Sequence, residues 1–126
     1  MELKTILVVD DSNADQFLSQ CIIEEYDPSI EVLQALDGKQ ALDMLDSLET
    51  PPDLILLDIN MPRMNGFEFL DVYDQQDGEK SSVVVMITSS NQERDKKRAE
   101  KYKCVSMYLN KPLTLQYIEE IARSAA

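Results

Sequence analysis

The chain has 126 residues, 44% of them hydrophobic and 29% charged, which suffices for one packed core and is unlike a disordered chain. It is short for two domains of ordinary size, so residues 1–126 read as a single domain with no attached output domain. Twelve basic residues against twenty-four acidic ones give a net charge of -12, which repels nucleic acid and anionic membrane and attracts cations.

There is no histidine, so phosphohistidine chemistry and histidine general bases lie beyond this chain alone. Cys21 and Cys104 make neither a zinc pattern nor a disulfide scaffold. They read as small apolar residues in a reducing compartment. No nucleic-acid or membrane partner is expected, and the location is expected to be cytoplasmic.

Ile6 to Val9 is a continuous apolar run, too short for a signal peptide or a membrane span, and is ended by Asp10-Asp11. Ser12-Asn13 then offers an N-cap to a helix in which Ala14, Phe17, Leu18, Cys21, Ile22 and Glu25 recur at helical spacing. Ser12 with Asp15 resembles a capping box. Glu31 to Ala35 alternates with polar residues, which suits an edge strand. Leu42, Leu45 and Leu48 mark a second helix, stopped by Thr50-Pro51-Pro52. Leu54 to Leu57 is another continuous run, followed by a helix from Phe67 to Asp74. Val83 to Ile87 precedes a helix from Gln92 to Lys103. Met107 to Leu109 precedes a fifth helix, Thr114 to Arg123, with Leu115, Ile118 and Ile121 inward. Gly38 and Gly66 are expected to open helices or turns.

Five strands alternating with five helices define an α/β fold: a doubly wound parallel sheet with helices on both faces. Ligands in such sheets sit outside the carboxyl ends of the strands. Asp10 and Asp11 follow the first run, Asp58 the third and Thr88 the fourth, and Lys111 comes shortly after the fifth. All should converge in one cleft. Two carboxylates about 4 Å apart repel by ~4 kcal/mol at an effective dielectric of ~20, so three ionised ones need a cation. The donors are all oxygens, which selects Mg²⁺ or Mn²⁺ over zinc or copper. Lys111 adds a point charge and Thr88 a hydroxyl for phosphoryl oxygens. Asp58 stands alone after its run and reads as the nucleophile, while the Asp10-Asp11 pair suits the metal.

In order and spacing, these residues resemble the receiver domain of two-component response regulators. The resemblance rests on Val8-Val9-Asp10-Asp11, Asp37-Gly38-Lys39-Gln40-Ala41-Leu42, Asp53 to Pro62, Met64-Asn65-Gly66-Phe67-Glu68, Ile87-Thr88-Ser89-Ser90 and Tyr108-Leu109-Asn110-Lys111-Pro112. It implies a flavodoxin-like strand order of 2-1-3-4-5. It also implies that Asp58 accepts a phosphoryl group from a sensor histidine kinase or a histidine phosphotransfer protein. Asp11, Asp58 and the Asn60 backbone carbonyl would hold Mg²⁺, with Asp10 assisting. Lys111 would pair with the phosphoryl group across a cis Lys111-Pro112 peptide. Thr88 and Tyr108 would switch, and Asn60 and Ser90 would tune hydrolysis. The signal would leave by the face formed by the fourth helix, fifth strand and fifth helix, toward another protein or a second copy of the chain.

Two departures stand out. Cys104-Val105 occupies the place of a common Gly-Ala, so the turn after the fourth helix lacks its usual glycine. Ser89 replaces a frequent alanine. A phosphatase of the haloacid-dehalogenase type would need a second aspartate two positions after the nucleophile, where this chain has Asn60, so a turnover enzyme is not expected. A pseudo-receiver acting by binding alone conflicts with the intact acidic trio and Lys111. Finally, Arg94, Lys96, Lys97, Arg98, Lys101 and Lys103 give the fourth helix a local charge of +3 in an acidic chain. This basic face is expected either to meet an acidic partner or simply to stay solvated.

Overall fold

A computed structural model describes residues 2–75 and 82–124. The strands are β1 (Thr5–Val9), β2 (Glu31–Ala35), β3 (Leu54–Leu57), β4 (Val83–Thr88) and β5 (Val105–Asn110). They form one parallel sheet in the order β2-β1-β3-β4-β5. Between and after them run α1 (Asn13–Tyr26), α2 (Gly38–Ser47), α3 (Gly66–Tyr73), α4 (Glu93–Ala99) and α5 (Leu115–Ser124). The sheet is thus doubly wound, with one apolar layer on each face. One holds Leu7, Val9, Ile55, Leu57, Phe69 and Leu70. The other holds Ile6, Val8, Leu54, Leu56, Ile118 and Ile121. β3 is fully buried and β2 is half-exposed at the sheet edge, as their patterns require. No helix among the described residues is long and apolar enough to cross a membrane.

The caps place the helices. Ser12 Oγ accepts from the Asp15 N–H, Asp37 from the Gln40 N–H, and Asn65 and Glu68 form a reciprocal capping box. The first of these is only half a box, because the Asp15 carboxylate turns elsewhere.

Two expectations are corrected. In α1 most of the periodic apolar residues face solvent: Phe17 is 67% and Leu18 53% exposed, and Cys21 is exposed too, while Ile22 alone of them packs against the core. The inward positions are Gln16, Ser19 and Ile23. Helix α4 ends at Ala99, short of Lys103. Without a glycine in the turn, Lys101 and Tyr102 N–H groups bond back three residues, to Arg98 and Ala99, and the chain leaves the helix without left-handed backbone. The short helix is pinned to α3: Arg98 lies 4.3 Å over the Phe67 ring and pairs with Asp71, and Tyr102 stacks on Phe67 and donates to Asp71. Of the four basic side chains in the helix, Arg98 is therefore committed.

Candidate functional site

β1 and β3 are neighbours with Val9 opposite Leu57, so their next residues, Asp10 and Asp58, emerge side by side. Asp10, Asp11 and Asp58 each offer a carboxylate oxygen within 4.8 Å of the others, Asp10 and Asp58 buried and Asp11 exposed. Asp10 Oδ1 accepts from the Ser12 N–H at 2.9 Å, and Asp58 Oδ1 from the Ile59 N–H at 2.8 Å. The Lys111–Pro112 peptide is cis. Lys111 Nζ lies 2.7 Å from Asp10, 2.7 Å from Asp15 and 3.0 Å from Asp58. Burial and the like charge of Asp58 push the Asp10 carboxyl above its ordinary value, although Lys111 and the Ser12 N–H pull it down. Burial alone would lower the Lys111 pKa, but hydrogen bonds to three carboxylates outweigh it and the ammonium titrates above its usual range.

Across the cleft, Thr88 ends β4 fully buried, and its Oγ1 accepts from the Ser90 N–H at 3.1 Å. The Ser90 hydroxyl donates to Asp95 at 2.7 Å. The Ser90 carbonyl accepts from Tyr108 OH at 3.2 Å and from Asn110 Nδ2 at 3.0 Å. Burial, mainly, raises the Tyr108 hydroxyl pKa. Asn60 is exposed and shares a polar cleft with Asn65, Ser90, Gln92 and Arg94. The sheet therefore brings Lys111 into direct contact with Asp10 and Asp58, with the exposed Asp11 carboxylate within 4.8 Å of theirs. Thr88 at the end of β4, Ser90 in the β4–α4 loop and Tyr108 on β5 form a second, hydrogen-bonded group.

Four features were not legible as site elements. Asp15 reads as a capping residue, yet its carboxylate reaches Lys111. Gln16 is buried, and the two N–H bonds of its Nε2 are shared among the Val8, Asp10 and Ala35 carbonyls at 2.9 to 3.0 Å. Arg63 holds left-handed backbone (φ 63°) and grips Asp37 through Nε at 2.8 Å and Nη2 at 2.6 Å. Gly66 is required by close approach: a Cβ there would stand 2.2 Å from the Asp58 carbonyl oxygen. Only the last carried a signal, a glycine a few residues after the strand.

An acidic trio and a lysine at the carboxyl ends of a doubly wound sheet define a receiver. The chain belongs to the response regulator receiver domain family, whose model matches residues 6–123. It is 29% identical over 119 residues to the polar-differentiation response regulator DivK of Brucella anthropi, covering 94% of this chain and 93% of DivK. It is 27% identical over 118 residues to the sensor histidine kinase CheAY of Helicobacter pylori, covering 94% of this chain but only 14% of that kinase. The crystal structure of a two-component response regulator from Cytophaga hutchinsonii matches with a TM-score of 0.87 at 29% identity, covering 98% of this chain and 97% of that one. Phosphoacceptor signalling is thus the function of this domain class, and its members are signalling domains rather than turnover enzymes.

Proposed function

We propose that Asp58 receives a phosphoryl group from a phosphohistidine on a sensor histidine kinase or a histidine phosphotransfer protein, and that the change alters binding of an output partner. The observation that supports this most is the convergence of Asp10, Asp11 and Asp58 with Lys111 in a family member. The donor set, oxygens only and strongly negative, fits Mg²⁺ or Mn²⁺. Asp10, Asp11, Asp58 and the backbone carbonyl of Asn60 would hold the ion, which when bound supplies positive charge beside the phosphoryl oxygens.

The remaining work falls to the chain. An Asp58 oxygen attacks phosphorus while the phosphorus–nitrogen bond breaks and the imidazole departs with the electron pair. Lys111 donates to a phosphoryl oxygen, and the Thr88 hydroxyl turns toward another. Drawing Thr88 in withdraws the Ser90 N–H from its acceptor and loosens the loop that Tyr108 and Asn110 hold, which biases the α4–β5–α5 face toward its partner. That partner is another protein or a second copy of this chain. Hydrolysis adds water at phosphorus, releases inorganic phosphate and restores the carboxylate, with Asn60 and Ser90 at the mouth setting its pace. The reading takes residues 1–126 as one receiver unit acting in the cytoplasm, without nucleic acid or membrane.

Incubation with acetyl phosphate and Mg²⁺ tests it. A mass gain of one phosphoryl group, absent in Asp58→Asn and reversed on standing, is expected. No gain from any small donor or cognate kinase would leave only a binding scaffold.

A further inference from the structure

The chemistry above leaves one charged neighbour of Lys111 unused. Asp15 lies in the first turn of α1, its N–H capped by Ser12 and its side chain 36% exposed. Its Oδ2 accepts from Lys111 at 2.7 Å, as closely as Asp10 and more closely than Asp58. An ammonium has three N–H bonds. Here Asp10, Asp15 and Asp58 take all three. Asp15 stands apart from the trio whose oxygens cluster within 4.8 Å, so a cation held by that trio leaves Asp15 with its full charge.

A phosphoryl group on Asp58 replaces that carboxylate's hold on the ammonium with new oxygens, while Asp15 keeps its own claim on the lysine. We propose that Asp15 competes with the phosphoryl group for Lys111, retaining the lysine in the empty pocket and weakening its hold on the phosphorylated one. The inference rests on the phosphoacceptor reading of Asp58. The same negative charge draws a cation toward the pocket and opposes an anionic phosphoryl group. Removing it must therefore shift the two affinities in opposite directions. A side chain that merely props up the lysine or the helix would shift them together.

The test uses the full chain as wild type, Asp15→Asn, Asp15→Ser and Asp15→Glu, each checked for folding by thermal melt. Mg²⁺ binding is measured by calorimetry, and binding of beryllofluoride, a phosphoryl mimic, by fluorine NMR at saturating Mg²⁺. For Asp15→Asn and Asp15→Ser, Mg²⁺ should bind roughly threefold more weakly and beryllofluoride roughly three- to tenfold more tightly, with both differences shrinking in high salt. Asp15→Glu, which keeps the charge, should stay nearer to wild type. If both affinities fall together, or neither moves, the competition is refuted while Asp58 remains the acceptor. Wild type that binds no beryllofluoride at any Mg²⁺ concentration would remove the phosphoacceptor reading itself, and the role of Asp15 with it.

Discussion

On the β1–α1 side of the cleft, a buried glutamine amide ties three backbone carbonyls together and a lysine ties three carboxylates together. On the β4–α4 side, two half-exposed or exposed side chains converge on one carbonyl, that of Ser90, in a loop that leads into a seven-residue helix. The first arrangement is largely buried and mutually dependent, so it holds Asp10 and Asp58 in place. The second is wet and its bonds exchange easily with solvent, so it can be rearranged at small cost. A switch needs both kinds of construction, and here they stand side by side at the carboxyl end of one sheet.

Breaking the first arrangement should be expensive. Gln16→Leu removes a buried donor shared by three carbonyls, of which Ala35 keeps the Asp10 N–H, and should destabilise the fold by about 2 to 3 kcal/mol, read as a lowered midpoint in urea. Mg²⁺ should fall in affinity with it, because Asp10 loses its backbone support. Filling the site should do the reverse: Mg²⁺ at ten times its Kd should add ~1.4 kcal/mol and raise Tm by a few degrees.

Titration sharpens the contrast. With Asp10 raised above its ordinary 3.8, the folded protein keeps a proton that the unfolded chain has already lost. The Asp10 contribution is complete below 3.8 and fades as pH rises through the raised value. Asp10→Asn should flatten that decline in a Tm against pH series. The second arrangement should yield least. Tyr108→Phe and Asn110→Ala should each cost only about 0.5 kcal/mol, and the double variant more than their sum, since the Ser90 carbonyl then loses both donors. Hydrogen exchange at residues 89–92 should quicken in that double variant while the sheet amides stay protected.

The sheet, its order of elements and the trio with Lys111 were legible because each depends on strong local signals: continuous apolar runs and the charged residues that end them. α5 was legible for the same reason, its Ile118 and Ile121 facing inward as their spacing demands. α1 was not. Phe17, Leu18 and Cys21 face solvent because the inward face is set by Gln16, whose amide bonds the strand-end carbonyls, together with Ser19 and Ile23. The contacts of Asp15 with Lys111 and of Arg63 with Asp37 span 96 and 26 positions, and no periodicity carries such pairings. The length of α4 depended on which turn replaced a missing glycine.

Arg63 and Asp37 also bind two loops to one fate. The left-handed backbone at Arg63 costs about 1 kcal/mol in a residue with a side chain. The Asp37 carboxylate that secures it is also the cap of α2. Burial pushes Asp37 upward, but the Gln40 N–H and then Arg63 outweigh it and hold it below 3.8, so its support is present above that value and lapses as acid carries the pH through the lowered one. Protonating one oxygen pair thus unfastens the start of α2 and the segment after Asn60 at once. Acid should release them in concert, never one after the other.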